Sequence, residues 1–329
     1  MVQDQLLEIF KSKSARDINS KRHLIDVDNF TPAEIKTIMQ TAKLSLEWMD
    51  TKQAPMNLFA ANLVGNLFFE NSTRTRSSFE LAATNLGARV LNLDIDKSSV
   101  AKGETLEDTA FTLISMGVNA LVIRHSQDKI QSDLSKILPP DVSVFNAGDG
   151  ITAHPTQALL DFFTMSQIAG DLTDKKIVIV GDIKHSRVAR SNILLLKKMG
   201  TKVEVCGPQK LMPGADELKR MDVTVQEDLN AAIASADFVM ALRIQKERLQ
   251  SDMQLSFEDF QKQYQINHER LEQSKSKARI LHPGPVNRGV ELTDELADDS
   301  KLSLIRTQVR NGVALRMAMM ALLFSRRPC

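Results

Sequence analysis

The segment KKIVIVGDIKHSRVARSNILLLKKMGTKVEVCGP, residues 175 to 208, gives the clearest indication of the fold. It opens with a short apolar run that predicts a buried strand. A segment with apolar residues at helical spacing follows, and a second short β-like run ends the stretch. Strand, helix and strand in this order predict a parallel sheet covered by helices.

The same alternation runs through the rest of the chain. Before residue 150, short apolar runs with β character alternate with helical segments, and the alternation restarts after that point. A chain of 329 residues is also long enough for about two domains. We therefore predict an α/β protein with two doubly wound parallel-sheet domains and helices on both faces. In such sheets ligands bind outside the carboxyl ends of the strands.

Composition and charge exclude several classes of function. The net charge is +1, with one Trp and one Tyr, which disfavours binding to nucleic acid or to an anionic membrane. No stretch approaches 18 uninterrupted apolar residues. The two cysteines, Cys206 and Cys329, form neither a disulfide framework nor a zinc pattern, so we expect inert thiols and a cytoplasmic protein. The faintly amphipathic start lacks a secretory signal, and its acidic residues disfavour a transit peptide.

An anion site is predicted in LFFENSTRTRSSFELAA, residues 67 to 83. A strand ends at Glu70, a polar turn follows, and we expect a helix to begin near Arg76. The turn brings hydroxyl groups and a guanidinium to a helix N-terminus, where unpaired N–H groups attract anions. Ordinary helix capping would explain one hydroxyl but not the arginines beside it. The chain has no Walker A motif, which disfavours hydrolysis of nucleoside triphosphates.

Six further segments place polar side chains after strands or at helix starts. They contribute Arg124, His154 with Gln157, Arg187, Arg243 with Gln245, Pro283 with Gly284, and Ser98 with Lys102. Each alone has an ordinary explanation, such as a surface charge or a structural histidine. Together with Arg74, the arginines predict a substrate with more than one anionic group. We find neither an acidic metal triad nor a Ser-His-Asp pattern, so catalysis would work by positioning and charge stabilisation.

The motifs STRTR, RH, HPTQALLD, HSRV, RIQKER and HPGPVNRG follow one another between residues 72 and 289. In this order they resemble the catalytic chains of aspartate carbamoyltransferases. The resemblance implies transfer of the carbamoyl group of carbamoyl phosphate to L-aspartate, an early step of pyrimidine biosynthesis, without a cofactor or metal. It also implies a homotrimer with active sites shared between subunits.

The resemblance implies four segments and a role for each candidate residue. The segments are an N-terminal extension (1–22), a carbamoyl-phosphate-binding domain (23–155), an aspartate-binding domain (156–305) and a C-terminal helix returning to the first domain (306–329). Phosphate would be held by Ser72, Thr73, Arg74 and Thr75, and the carbonyl oxygen by Arg74, Thr75, Arg124 and His154. Gln157 and the backbone carbonyls of Pro283 and Gly284 would bind the carbamoyl amino group. L-Aspartate would be bound by Lys102, Arg187, Arg243 and Gln245, with Ser98 and Lys102 reaching into a neighbouring subunit's site.

Alternative functions remain open at this point. Ornithine carbamoyltransferases share the phosphate turn, but they typically carry His-Cys-Leu-Pro where this chain has His282-Pro283-Gly284-Pro285. A non-catalytic, partner-binding relative would be expected to lose Arg74, Lys102 or His154, and all three are present. An oxidoreductase would rest on VIVGD alone, without the glycine fingerprint. Relatives also occur with zinc-bearing regulatory chains or dihydroorotase-like partners, and we hypothesise that residues 1 to 20 dock a partner or occlude the site.

Overall fold

A computed structural model describes residues 2–244, 256–272 and 278–324. The described residues form two compact units. Unit 1 comprises the described parts of residues 1–163 and 310–329, and unit 2 comprises the described part of residues 164–309. No helix in the described ranges is long and apolar enough to cross a membrane.

Unit 1 is built on a four-stranded parallel sheet in the order β2-β1-β3-β4. Val64 of the central strand is paired with Val90 on one side and Ala120 on the other, and all neighbouring strands run parallel. The strands are β1 (Leu63–Phe68), β2 (Arg89–Leu93), β3 (Ala120–His125) and β4 (Ser143–Asp149). The central strands β1 and β3 are mostly buried, as their apolar runs predict.

The helices of unit 1 connect and cover these strands. They are α1 (Val2–Phe10), α2 (Lys13–Ser20), α3 (Pro32–Asp50), α4 (Thr73–Asn85), α5 (Leu106–Ser115) and α6 (Ile130–Ile137). Helix α3 begins with a capping box, in which the Thr31 side chain accepts from the Glu34 N–H and the Glu34 carboxylate accepts from the Thr31 N–H.

The N-terminal helices are packed into unit 1. Leu6 of α1 and Ile18 of α2 have no exposed surface, and the Thr37 hydroxyl of α3 donates to the Ser14 hydroxyl at 2.9 Å. The Asn19 side chain donates to the carbonyl oxygens of Leu322 and Leu323 at 2.9 and 3.2 Å. Residues 2–20 therefore contribute buried apolar side chains and hydrogen bonds to unit 1.

Unit 2 is built on a five-stranded parallel sheet in the order β7-β6-β5-β8-β9. Val178 of the central strand is paired with Glu204 on one side and Val239 on the other. The strands are β5 (Lys176–Val180), β6 (Lys202–Cys206), β7 (Thr224–Gln226), β8 (Phe238–Ala241) and β9 (Arg279–Leu281). The 175–208 segment forms β5, a helix over Arg187–Lys198 and β6, so the predicted strand-helix-strand unit is confirmed.

The remaining helices are α7 (Pro155–Ala169), α8 (Arg187–Lys198), α9 (Ala215–Met221), α10 (Leu229–Ile233), α11 (Phe257–Tyr264), α12 (His268–Glu272), α13 (Asp294–Asp298) and α14 (Ile305–Phe324). The chain passes between the two units within α7 and again within α14. Met317, Met319 and Met320 of α14 are fully buried, and the Phe324 ring contacts those of Phe59 and Phe145. The C-terminal helix thus packs back on unit 1, which confirms the predicted fold.

Candidate functional site

Each sheet has one point at which the strand order reverses, and the polar turn 72–75 and three of the predicted arginines lie at or after the strand ends there. The other predicted residues follow β2, β4, β8 and β9. In unit 1 the reversal lies between β1 and β3, and in unit 2 it lies between β5 and β8. In doubly wound sheets a crevice opens there, at the carboxyl ends of the two strands. The turn before α4 follows β1 and Arg124 lies near the end of β3, while Arg187 follows β5 and Arg243 follows β8.

The polar turn after β1 is the first turn of α4. This helix begins at Thr73 with Ser72 as its N-cap, so the predicted start near Arg76 is three residues too late. The Ser72 hydroxyl accepts from the Thr75 N–H at 3.4 Å. Thr73, Arg74 and Thr75 therefore occupy the turn whose N–H groups have no intrahelical acceptor and whose dipole favours an anion. Arg74 is exposed and Thr75 is buried.

Arg124 is held beside this turn by its neighbours. The backbone N–H of Phe69 donates to the Arg124 carbonyl at 2.9 Å, so the end of β3 adjoins the exit from β1. The Arg124 side chain donates to the Ala147 carbonyl at 3.2 Å, and its Nε lies 3.6 Å from a carboxylate oxygen of Glu70. Glu70 was missed by the sequence analysis, although its place directly after a strand was a usable signal. The ion pair limits the directions in which the guanidinium can point.

His125, the second residue of the RH motif, has a packing role. Its ring contacts that of Phe69 with centroids 4.8 Å apart, and its Nδ1 accepts from the Gln127 N–H at 2.9 Å. Burial lowers the pKa of His125, and the charge of Glu70 opposes that shift only in part. A neutral ring that accepts at Nδ1 fits this environment.

His154 and Gln157 stand together at the start of α7, as their spacing predicts. Both are buried, and the His154 carbonyl accepts from the Gln157 N–H at 3.0 Å. The Gln157 side-chain Nε2 donates to Asp161 Oδ1 at 2.9 Å. The end of β4 leads directly to His154, because the Asp149 N–H donates to the Ala153 carbonyl. Asp161 was also missed, although it lies four residues after Gln157 in the HPTQALLD motif.

Ser98 and Lys102 lie in the polar connection between β2 and α5. Two short 3₁₀ turns, Ile95–Lys97 and Ser99–Lys102, form this segment. The Ser98 hydroxyl donates to the Ile95 carbonyl at 2.8 Å and accepts from the Val100 N–H at 3.3 Å. Lys102 is exposed at the end of the second turn. Ser98 thus stabilises this segment, and Lys102 at its end is exposed to solvent.

In unit 2 the turn after β5 presents Arg187. It is the first residue of α8, whose N-cap Ser186 accepts from the Ala189 N–H at 3.1 Å. Asp182 shapes the turn, because its carboxylate accepts from the His185 N–H and lies 2.9 Å from His185 Nδ1. The backbone of Arg187 is thus fixed at the start of α8, the helix that follows the central strand β5.

The segment after β8 carries Arg243 and is fixed by a buried carboxylate. The Leu242 N–H donates to the Val180 carbonyl at 2.8 Å, so this segment adjoins the end of β5. Arg243 is exposed, while the N–H of Ile244 donates to Glu291 Oε1 at 2.8 Å. Burial raises the pKa of Glu291 to about 7, although hydrogen bonds from Ile244 and Asn287 lower it. Gln245, predicted to support Arg243, lies outside the described residues.

The turn His282-Pro283-Gly284-Pro285 follows β9, the neighbour of β8. The His282 N–H donates to the Gln308 side chain, and the Gly284 N–H donates to His282 Nδ1, both at 2.9 Å. Gly284 has a φ of +71°, in the left-handed region that favours glycine. These contacts hold the turn in one conformation, which gives the carbonyls of Pro283 and Gly284 defined directions.

Comparison with known proteins decides the family. Residues 22–167 match the carbamoyl-P binding domain of aspartate/ornithine carbamoyltransferases, and residues 173–323 match the Asp/Orn binding domain. The chain belongs to the aspartate/ornithine carbamoyltransferase family. In the part of this carbamoyltransferase that the structure describes, no group of three His, Cys, Asp or Glu side chains is placed to hold a metal ion.

Curated relatives of this carbamoyltransferase are named aspartate carbamoyltransferase catalytic subunits. That of Thermosynechococcus vestitus is 44% identical over 92% of this chain and 94% of its own length. That of Desulforamulus reducens is 46% identical over 92% and 96%. The Trypanosoma cruzi enzyme in complex with carbamoyl phosphate and aspartate superimposes with a TM-score of 0.81 at 29% identity, over 91% of this chain and 95% of its own. The M. Jannaschii catalytic subunit gives 0.80 at 33%, over 92% and 97%.

Proposed function

We propose that this chain is an aspartate carbamoyltransferase. It transfers the carbamoyl group of carbamoyl phosphate to the amine of L-aspartate, giving N-carbamoyl-L-aspartate and phosphate, in de novo pyrimidine (UMP) biosynthesis. The observation that carries the proposal is the pair of arginines, Arg187 and Arg243, that follow the two strands at the reversal point of unit 2. Most of the part that matches the Asp/Orn binding domain, residues 173–323, lies in unit 2, which ends at residue 309. Two guanidinium groups suit a dicarboxylate, whereas they would repel the cationic end of ornithine.

The phosphate of carbamoyl phosphate binds at the start of α4. Ser72, Thr73, Arg74 and Thr75 offer hydroxyl, guanidinium and backbone N–H donors to its oxygens. Arg74, Thr75, Arg124 and His154 lie toward the carbonyl oxygen, which gains negative charge when the aspartate amine attacks. Each donor aimed at that charge lowers the activation free energy by about 3 kcal/mol.

The leaving phosphate takes the proton of the attacking amine, so the reaction needs no protein base. The amine of L-aspartate must arrive neutral, because a protonated amine has no lone pair for attack. Phosphate leaves with the electron pair of the broken C–O bond and is itself a base close to that amine. The protein contributes orientation and charge stabilisation.

We propose that L-aspartate is bound by Arg187 and Arg243, with Gln245 in support, and that Lys102 acts on both substrates. Ser98 and Lys102 would act in the site of a neighbouring subunit of a homotrimer, and the protein would be cytoplasmic. The exposed position of Lys102 on a polar turn supports this role. Mixing Lys102→Ala chains with Arg74→Ala chains tests it, because hybrid trimers should recover activity that neither variant has alone. A mixture as inactive as its components would contradict shared sites.

The decisive experiment is a carbamoyl-transfer assay with L-aspartate and L-ornithine side by side. We expect activity with aspartate only, and activity with ornithine only would refute the proposal. Arg74→Ala should lower kcat by about a hundredfold or more, as loss of a transition-state donor does. Arg89→Ala is the matched control, because Arg89 is an exposed arginine at the amino end of β2, at the opposite edge of the same sheet. Equal rates in the two variants would contradict the role of Arg74.

A further inference from the structure

A buried charged cluster lies behind Gln157 in unit 1. Asp161 has no exposed surface and accepts from Gln157 Nε2 at 2.9 Å. Arg316 of α14 is 3% exposed and donates to the Thr156 hydroxyl and the Gly312 carbonyl, both at 3.1 Å. Two oppositely charged side chains are thus enclosed directly behind the helix turn that carries Gln157.

Arg316 is enclosed too closely to be a surface charge. Its guanidinium lies 5.0 Å from the ring centroid of Phe79, which belongs to α4. A Cβ at Gly312 would come within 2.7 Å of Arg316 Nη1, so any other residue there would force the guanidinium to shift. Burial lowers the pKa of Arg316 to about 9, and the charge of Asp161 opposes this shift. Two buried opposite charges contribute little to stability compared with apolar packing, so their presence calls for another reason.

The geometry of Gln157 supplies that reason. A carboxylate can only accept hydrogen bonds, so Asp161 fixes the amide with its NH2 group inward. The amide oxygen Oε1 is then on the other side and acts as an acceptor. If Asp161 were replaced by a group that both donates and accepts, the amide could turn over.

We propose that Asp161 and Arg316 are positioning residues that hold Gln157 with its amide oxygen toward the substrate. The site then selects an acyl phosphate that carries an N–H donor beside its carbonyl carbon. This inference rests on the proposed function, because it assigns Gln157 to the carbamoyl amino group. Acetyl phosphate has a methyl group in that place and cannot donate to Oε1, so it should gain nothing from the fixed amide.

Asp161→Asn tests the inference with little change of shape. We expect kcat/KM for carbamoyl phosphate to fall about three- to tenfold, the effect of losing one hydrogen bond between two uncharged groups. The values for acetyl phosphate, measured as substrate or as competitive inhibitor, should stay within about twofold, as expected where no such bond is made. Glu34→Gln is the matched control, because Glu34 is another buried acid of unit 1 that accepts from a backbone N–H. This control should lower the Tm without changing the values for carbamoyl phosphate or for acetyl phosphate.

A double-mutant cycle separates positioning from general stability. In a Gln157→Ala background, Asp161→Asn should change kcat/KM for carbamoyl phosphate by less than about twofold, because the side chain through which it acts is gone. Additive effects, or equal losses with carbamoyl and acetyl phosphate, would overturn the inference. Should Asp161→Asn not fold, Thr156→Val removes one acceptor of Arg316, and an unchanged preference for carbamoyl phosphate would overturn it as well. A wild-type chain without any aspartate carbamoylation would instead refute the proposed function.

Discussion

Replacement of Glu291 tests whether one buried carboxylate holds the segment that carries Arg243. Glu291 is 2% exposed, and its Oε1 accepts from the Ile244 N–H at 2.8 Å and from Asn287 Nδ2 at 2.9 Å. Its Oε2 accepts from the Asn287 N–H at 3.0 Å. Glu291→Ala removes the acceptor of all three donors. Each buried donor without an acceptor costs about 1–3 kcal/mol, and neighbouring losses are not additive, so we expect a loss of about 3–5 kcal/mol.

Glu291→Gln is the graded control. It keeps Oε1 as an acceptor but turns an NH2 group toward the Asn287 N–H, so a loss of about 1–2 kcal/mol is expected. The pKa of Glu291, raised by burial to about 7 from 4.5, adds a test of sign. The stability that the protonated acid contributes is fully present below pH 4.5 and is lost as the pH rises through 7. Glutamine does not titrate, so its deficit relative to the wild type should be smaller at about pH 8 than at about pH 5.

Equilibrium urea unfolding followed by circular dichroism measures both variants, and steady-state kinetics measures the consequence for the site. Because Ile244 is the neighbour of Arg243, Glu291→Ala should raise the KM for aspartate more than the KM for carbamoyl phosphate. An Ala variant that loses less than about 1 kcal/mol would refute the reasoning, because it would place the donors in contact with water. A Gln deficit that is the same at both pH values would refute the raised pKa.

Three further predictions concern backbone geometry, core packing and the protonation of a histidine. Gly87→Ala should cost more in thermal unfolding than Gly117→Ala, because a Cβ at Gly87 would lie 2.2 Å from the Met56 carbonyl oxygen while nothing lies within 4 Å at Gly117. Both glycines have positive φ, so the Gly117 variant alone should lose about 1–2 kcal/mol, and equal losses would be inconsistent with the close contact. Leu6→Ala should cost about 2–5 kcal/mol in urea unfolding with unchanged KM values, since Leu6 is fully buried; a loss under about 1 kcal/mol would argue against a packed N-terminus. Burial, aided by the charge of Arg22, lowers the pKa of His23 to about 4, so wild-type stability should fall as the pH drops from 6.5 toward 4. His23→Asn should reduce this loss of stability at acid pH. A variant whose stability depends on pH as the wild type's does would contradict the lowered pKa.

The fold and the strand ends at which the candidate arginines lie could be predicted because both depend on local pattern. A short apolar run that ends in a polar residue defines a strand and its carboxyl end at once, as KKIVIVGD does for β5. In a doubly wound sheet those ends share one edge, so within unit 2 Arg187 and Arg243 could be assigned to the same sheet edge without knowledge of tertiary contacts. The start of α4 was misplaced because three hydroxyl residues within four positions, Ser72, Thr73 and Thr75, offered equivalent caps.

The buried partners of the candidate residues could not be predicted, because no local sequence pattern connects them to those residues. Glu291 contacts Ile244 across 47 residues, and Arg316 contacts Thr156 across 160. Helix and strand periodicity relates residues only a few positions apart, so it cannot indicate these contacts. The sequence LRMAMM around Arg316 predicts an ordinary apolar helix face. A charged residue in such a helix is nevertheless a usable signal, because a charge that folding buries must have a partner.

The two units solve the same physical problem in the same way. A segment that follows a strand must hold a charged or polar group in one direction, and an unrestrained segment by itself has many conformations of similar energy. In unit 1 the buried Asp161 fixes the side chain of Gln157, and in unit 2 the buried Glu291 fixes the backbone beside Arg243. A buried carboxylate suits this task because it accepts several hydrogen bonds at once and cannot donate, which leaves its N–H partners only one orientation. The desolvation that such a group suffers lowers the net stability of the fold, so these acids are best explained by the geometry they impose on the site.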